Sequence, residues 1–193
     1  VFAGSGDDIV LGQQGDDLLF GQEGQDDLIG GHNVADGVDE LDAVAGQNDR
    51  IDGGAGDDVI AGDNAVIVRV TDGSTRFRTL IGASIYLPDG TLQVNADANL
   101  DPRGMITRLV TLLNHDAAAA PGTFGDDLIA GGADDDMVFG QLGNDMLRGD
   151  GLLSDVTVAA TPIASASPSN DGDDYIEGNG GDDSIWGDLG RDE

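Results

Sequence analysis

Large aliphatic residues recur in this chain on a nine-residue beat, separated by stretches of small and polar residues. The beat is cleanest at Gly53-Gly54-Ala55-Gly56-Asp57-Asp58-Val59-Ile60-Ala61. Counting each unit from its small-residue start places an aliphatic side chain at position 8: Val10, Leu19, Leu28, Ile51, Ile60, Ile129, Val138, Leu147, Ile176 and Ile185. Positions 7 to 9 read as a short strand whose middle side chain points one way and whose flanks point the other. Positions 1 to 6 are rich in glycine, as expected where the backbone turns sharply through conformations closed to residues with a Cβ.

The beat runs through Ala3–Leu11, Gly12–Phe20 and Gly21–Ile29, then Val44–Asp52 and Gly53–Ala61. It resumes at Gly122–Ala130, Gly131–Phe139 and Gly140–Arg148, and again at Ser169–Glu177 and Gly178–Trp186, with a further unit opening at Gly187. Two units close one coil, so the aliphatic residues of two facing sheets meet in a thin core. The expected fold is all-β: a parallel β-roll, or β-solenoid, of nonapeptide repeats carrying an inserted small, mainly β subdomain. Joining Glu193 to Val1 would complete a unit with Val1 at position 8, which leads to the expectation of segments that repeat or stack head to tail.

Three insertions interrupt the beat, leaving the roll at a similar point in a turn: after Gly30-Gly31, after Gly62-Asp63 and after Gly149-Asp150. The first (near 32–43, inside a roll segment spanning 1–62) and the third (near 152–168, inside a roll segment spanning 122–193) read as loops. The second, 63–121, is long enough for a subdomain. There, 65–70 and 75–81 flank Thr71-Asp72-Gly73-Ser74 as one hairpin, and 84–87 and 91–94 flank Pro88-Asp89-Gly90 as another. Met105 to Leu113 fits a strand or a short helix equally well.

Eleven aspartates fall at position 6: Asp8, Asp17, Asp26, Asp49, Asp58, Asp127, Asp136, Asp145, Asp174, Asp183 and Asp192. Turns two units apart stack on one edge of the roll, about 4.8 Å from each other. Carboxylates and turn carbonyls then supply only oxygen donors, a set that suits calcium better than zinc or copper. Without a cation, stacked carboxylates repel across a thin core, so metal binding and folding are expected to be one event. Position 5 is often acidic as well (Asp7, Asp16, Asp57, Asp126 and Asp182) and is expected to face solvent.

The formal net charge is −30. A chain so acidic is a poor nucleic-acid partner, because phosphates are held by Lys and Arg. The second insertion differs: five arginines (Arg69, Arg76, Arg78, Arg103 and Arg108) against six acids give it a net charge of −1, whereas the remainder holds three arginines against 32 acids, a net of −29. An acidic shaft beside an arginine-bearing arm can make complementary contacts, within one molecule or between neighbours. Position 9 carries Leu11, Phe20, Ile29, Phe139 and Trp186, an outward apolar row that calls for a covering partner. No apolar run approaches the length of a membrane span, and no signal-peptide pattern opens the chain.

The units resemble the hemolysin-type calcium-binding repeats of RTX exoproteins, whose parallel β-rolls leave Gram-negative cells by type I secretion. The resemblance implies several bound Ca²⁺ ions. Each would be held by the carbonyls of positions 1 and 3 with Asp 6 of one turn, and the carbonyls of positions 2 and 4 with Asp 6 of the turn two units later. On this chain it implies that Ala3, Ser5 and Asp8 share an ion with Gln22, Gly24 and Asp26, and that Gly122, Phe124 and Asp127 share one with Gln141, Gly143 and Asp145. Between segments joined end to end it implies that Gly178, Gly180 and Asp183 meet a following Gly4, Gly6 and Asp8, and that Gly187, Leu189 and Asp192 meet a following Gln13, Gly15 and Asp17. The same carry-over assigns carbonyl donors to Gly12, Gln14, Gly54, Gly56, Asn179, Gly181, Asp188 and Gly190. Gln47 and Asp134 stand where position 4 is normally glycine, and those turns are expected to bind weakly or not at all.

The function expected from this pattern is a calcium-binding structural segment of an extracellular or cell-surface assembly (a filament, adhesin stalk or surface layer), with affinities on the order of micromolar to millimolar. A calcium-dependent carbohydrate- or protein-binding module, with 63–121 as the gripping part, is the alternative. An enzyme is not expected: the repeat accounts for the carboxylates, and His32 and His115 stand apart in loop-like contexts.

Overall fold

The computed structural model describes residues 1–38, 48–69, 108–114, 119, 123–153, 171–190 and 192, together with the backbone of three short strands at 78–79, 85–86 and 92–93. Two parallel sheets face each other. One has six strands in the order β1 (Phe2–Ser5), β3 (Leu18–Glu23), β5 (Arg50–Ala55), β12 (Leu128–Ala133), β14 (Met146–Asp150) and β16 (Ser184–Trp186). The other has five, in the order β15 (Tyr175–Gly180), β13 (Met137–Leu142), β6 (Val59–Ala61), β4 (Asp27–Ile29) and β2 (Ile9–Leu11).

Register follows the repeat. Leu19 pairs with Ile51, Ile51 with Ile129, and Ile129 with Leu147 in the first sheet; Leu28 pairs with Ile60 and Ile60 with Val138 in the second. The position-8 residues Val10, Leu19, Leu28, Ile51, Ile60, Ile129, Val138 and Leu147 form one buried cluster between the sheets. A core one side chain deep from each sheet excludes water from a strip only, which leaves the turns along both edges to be held by other means.

A second cluster lies outside the roll. Ile29, Val59, Ala61, Met137, Phe139 and Tyr175, from positions 7 and 9 of the five-stranded sheet, pack against Ala65, Val110 and Leu112 of the second insertion. Those insertion residues come from β7 (Ala65–Arg69) and β11 (Arg108–Leu112), which pair antiparallel from Arg69↔Arg108 to Ala65↔Leu112. The outward apolar row is therefore covered on this sheet by the chain itself. On the six-stranded sheet, Phe2 stacks on Phe20 with ring centroids 4.8 Å apart, and Phe2 and Leu18 remain exposed.

The strand partners in the insertion differ from the expected first hairpin. β11 lies between β7 and β8 (Arg78–Thr79), parallel to β8, so residues 65–69 pair with 108–112 and not with the stretch that follows them. Leu109↔Val68 and Val110↔Ile67 place two apolar strands in register, a longer match than β8 provides. The undecided segment 105–113 is thus a strand over Arg108–Leu112. The second hairpin agrees with expectation: β9 (Ile85–Tyr86) pairs antiparallel with β10 (Leu92–Gln93). The turn residues of both lie outside the described residues, as do 39–47 and 154–170, which take in parts of the first and third insertions and the starts of the units at Val44 and Ser169.

Charge complementarity fixes the insertion on the roll. Asp27, fully buried at position 7, accepts from Arg108 Nε at 2.5 Å and Arg69 Nε at 2.7 Å. Arg69 also donates to the carbonyls of Asp8 at 2.8 Å and Gln25 at 2.9 Å. Removing one member of a buried pair leaves the other charge uncompensated, at a cost of about 3–5 kcal/mol. Asp27→Ala is therefore expected to release β7 and β11 while sparing the roll. Trypsin should cut after Arg69 and Arg108 faster than in the parent protein at saturating calcium; equal cutting rates with unchanged circular dichroism would refute the clamp.

Candidate metal centre

The position-6 aspartates form two columns, one along each edge of the roll. In one column the backbone N–H of each aspartate donates to Oδ1 of the next: Asp8 to Asp26 at 2.8 Å, Asp26 to Asp58 at 2.7 Å, Asp58 to Asp136 at 2.8 Å, Asp136 to Asp174 at 2.9 Å and Asp174 to Asp192 at 3.1 Å. The other column runs Asp17 to Asp49 at 2.7 Å, Asp49 to Asp127, Asp127 to Asp145 and Asp145 to Asp183, the last three each at 2.9 Å. All eleven aspartates singled out by spacing stand in this ladder.

From the second aspartate of each column onward, each carboxylate thus spends one oxygen on the preceding turn. The other, Oδ2, is buried without a hydrogen-bond partner in Asp17, Asp26, Asp58, Asp127, Asp136 and Asp145. A buried carboxylate oxygen with no donor carries a desolvation cost that a cation removes.

The turn backbone completes the surroundings. Between the turns of Asp26 and Asp58, the carbonyls of Gln22 and Gly24 face forward: a Cβ on Gly54 would come within 2.3 Å of Gln22 O, and one on Gly56 within 2.1 Å of Gly24 O. The carbonyls of Gly53 and Ala55 face back: a Cβ on Gly21 would meet Gly53 O at 2.3 Å, and Gly24 N donates to Ala55 O at 2.9 Å. The same pattern recurs where Gly6 N donates to Glu23 O, Gln13 N to Gly30 O, Gly56 N to Ala133 O and Gly143 N to Gly180 O.

This orientation runs opposite to the expected sharing. Positions 2 and 4 of the earlier turn face positions 1 and 3 of the later one: successive carbonyls of these turns point alternately forward and back, and the parallel stacking sets which side is forward. The gap between the turns of Asp8 and Asp26 therefore receives Gly4 and Gly6 with Gly21 and Glu23, in place of Ala3 and Ser5 with Gln22 and Gly24. By the same rule Gly54, Gly56, Gln141 and Gly143 face the following turn, and Gly178, Gly180, Gly187 and Leu189 face the preceding one, while Gly12 and Gln14 belong to the first described turn of their column.

Local geometry explains the residue choices. Positions 2 and 4 are left-handed: φ is 83° at Gln13, 85° at Gln22, 80° at Gln141, 68° at Asn179 and 71° at Asp188, all at position 2, and 97° at Gly15, 144° at Gly190 and 145° at Gly181, all at position 4. Asp134, at position 4, adopts 78°, so aspartate is accommodated there and its turn keeps the ladder through Asp136. At Gly21 and Gly53 position 1 is glycine for space, since a Cβ would collide with the turn's own Asp Oδ2 at 2.4 Å and 2.5 Å; Ala3 holds this position in the first described turn of its column.

Three turns are split by the insertions, and sequence phase misplaced their starts. Gly30 lies against Asp49 Oδ2, Gly62 against Asp127 Oδ2 and Gly149 against Asp174 Oδ2, each on the far side of an insertion from its aspartate. Gly62 thus takes the place expected of Gly122, which lies outside the described residues; Phe124 keeps its place before Gly125. Aspartates close two of these breaks: Gly125 N donates to Asp63 Oδ1 at 2.8 Å and Gly172 N to Asp150 Oδ1 at 2.9 Å. The signal was present in the Gly62-Asp63 and Gly149-Asp150 dipeptides, but only folding shows which half-turns they rejoin.

Among the described residues, no three acidic or imidazole side chains converge on one point. An ion in these gaps would rest on backbone carbonyls and paired carboxylates, an all-oxygen set matching a hard cation of high coordination number. The residues present fit calcium.

The family model for the RTX calcium-binding nonapeptide repeat matches four stretches, 2–31, 36–65, 121–151 and 169–193, which together exceed half of the chain. The chain belongs to this family of calcium-binding repeats, and several Ca²⁺ ions are distributed across its units. No curated protein and no solved structure matches it.

Burial shifts the column. Asp58 is pushed up to about 8 and Asp145 to about 7, mainly by desolvation, and Asp127 and Asp136 are raised well above the usual 3.8 by burial and by neighbouring carboxylates. Raised folded-state values mean that the cation-free fold binds more protons than the unfolded chain. Its stability is present below pH 3.8 and is lost as pH climbs through about 8. Chelated protein should be more ordered at pH 4 than at pH 8 by circular dichroism, and calcium affinity should rise over the same range. Equal or greater order at pH 8 under chelation would contradict this.

Space at position 1 gives a second expectation. Gly53→Ala places a Cβ 2.2 Å from Gly131 O and 2.5 Å from Asp58 Oδ2. Relieving that clash costs about 1–3 kcal/mol, to be seen as a weaker calcium-dependent rise in melting temperature.

Proposed function

We propose that this chain is a structural segment of an extracellular or cell-surface assembly, one that folds and stiffens when calcium fills the gaps between its turns. The observation that carries the reading is the run of buried, unpartnered carboxylate oxygens along both edges of a core one side chain deep. Such a column repels itself without cations and becomes a set of cross-links with them. At low calcium the chain stays unfolded; in extracellular fluid each filled site adds about 2.7 kcal/mol when calcium is a hundredfold above its Kd.

Assembly is supported by the strands at the two ends of each sheet, whose outer edges present backbone groups that further repeats or a second copy would satisfy. Exposed Phe2 and Leu18 add apolar surface on the six-stranded sheet. The arginines Arg69 and Arg108 are spent on the roll, which favours the structural reading over one in which the insertion grips an outside ligand. The repeat family is a non-catalytic, structural one, in keeping with a role without catalysis.

Calcium titration followed by far-UV circular dichroism tests the central claim: a cooperative gain of β-structure, reversed by chelation, is expected. Negative-stain microscopy tests the assembly. Rods or fibres are expected with calcium; compact, isolated particles at all concentrations would favour the binding-module reading.

A further inference from the structure

Position 2 of a turn is occupied by aspartate three times among the described residues, at Asp63, Asp150 and Asp188. Two of these have both carboxylate oxygens engaged. Asp63 accepts from Gly125 N at 2.8 Å and Leu142 N at 3.3 Å, and Asp188 accepts from the Arg148 guanidinium at 2.5 and 2.8 Å. Asp150 differs. It is fully buried, its Oδ1 accepts from Gly172 N at 2.9 Å, and its Oδ2 has no partner. Asp171, across the same break in the turn, also has a buried Oδ2 without a partner.

The surroundings sharpen the anomaly. Asp174, Asp171 and Asp192 are the carboxylates near enough to act on Asp150. Elsewhere among the described residues of the roll the orphaned carboxylate oxygens belong to position 6; here two more are added by aspartates at positions 2 and 3. Two buried Oδ2 atoms that meet no donor among the described residues are chemistry suited to a hard divalent cation.

We propose that the turn rejoined by Asp150 and Asp171 holds an additional divalent-cation site on these two side chains, beside the backbone cage between Asp174 and Asp192. Two carboxylates supply the charge, and backbone carbonyls and solvent complete the oxygen shell. Because ligand charge tunes calcium affinity, this site fills first as calcium rises. It would pin the two chain segments flanking the third insertion before the neighbouring gaps close. The inference rests on the calcium reading above.

The test is calorimetric calcium titration of the full chain beside Asp150→Asn and Asp171→Asn. Asparagine at 150 retains Oδ1 for Gly172 N, so the rejoined turn keeps its hydrogen bond. Each variant is expected to bind one ion fewer, with loss of the tightest phase and about tenfold more calcium needed for the first folding step, while its spectrum at saturating calcium matches the parent. The same stoichiometry and affinity in both variants would overturn the site. Should a variant not fold, anomalous scattering from terbium in crystals of the unaltered protein decides: a peak about 2.3–2.6 Å from Asp150 Oδ2 is expected. Peaks in other turns but none here would reject this site alone, and no peak in any turn would reject the calcium reading with it.

Discussion

The structure depends on stacking like charges and keeping them together. Each position-6 aspartate is tied to its neighbour by one backbone N–H, as in Asp26 N to Asp58 Oδ1 at 2.7 Å, and this single bond sets turn spacing along each edge. It does not neutralise anything: the second oxygen stays buried and unbonded in turn after turn. A fold whose edges are lined with desolvated anions has a stability set by its counter-ions, because the position-8 core is too thin to offset that repulsion alone.

The second insertion supplies what the roll lacks. It brings a second apolar layer, Ala65, Val110 and Leu112 against Val59, Met137 and Phe139, and two fixed positive charges on Asp27. Arg69 also reaches the carbonyls of Asp8 and Gln25, so the clamp spans two stacked turns. Formation of those turns and docking of the insertion are thereby linked. An insertion into a solenoid is tolerated because it leaves from a turn, where Asp63 and Asp150 can hydrogen-bond across the break and the strands above and below keep their register.

Much of this was legible in advance. Val10, Leu19, Leu28 and their successors as far as Leu147 marked the core because a solenoid coil repeats the same environment every two units, whereas Ile176 is only partly buried and Ile185 is exposed. The aspartates were legible for the same reason. Less so were the carbonyl donors, since which of Gln22 O or Gly21 O faces a given gap depends on strand polarity, and residue identity carries no trace of it. The turns beside insertions were legible in part: spacing put the exits after Gly30-Gly31, Gly62-Asp63 and Gly149-Asp150 but started the next units at Val44, Gly122 and Ser169, whereas Gly30, Gly62 and Gly149 occupy the places next to Asp49, Asp127 and Asp174.

Spacing along the chain determined the roll, its inward aliphatic residues and its two files of aspartates, because those relations are periodic and each unit meets only its neighbours. The tertiary structure alone decided that β7 would pair with β11 across the insertion, that Arg69 and Arg108 would converge on Asp27, and that Asp150 would stay unsatisfied where Asp63 did not. Each of these joins residues about 20 to 80 positions apart through a single encounter, and an encounter that occurs once leaves no period to read.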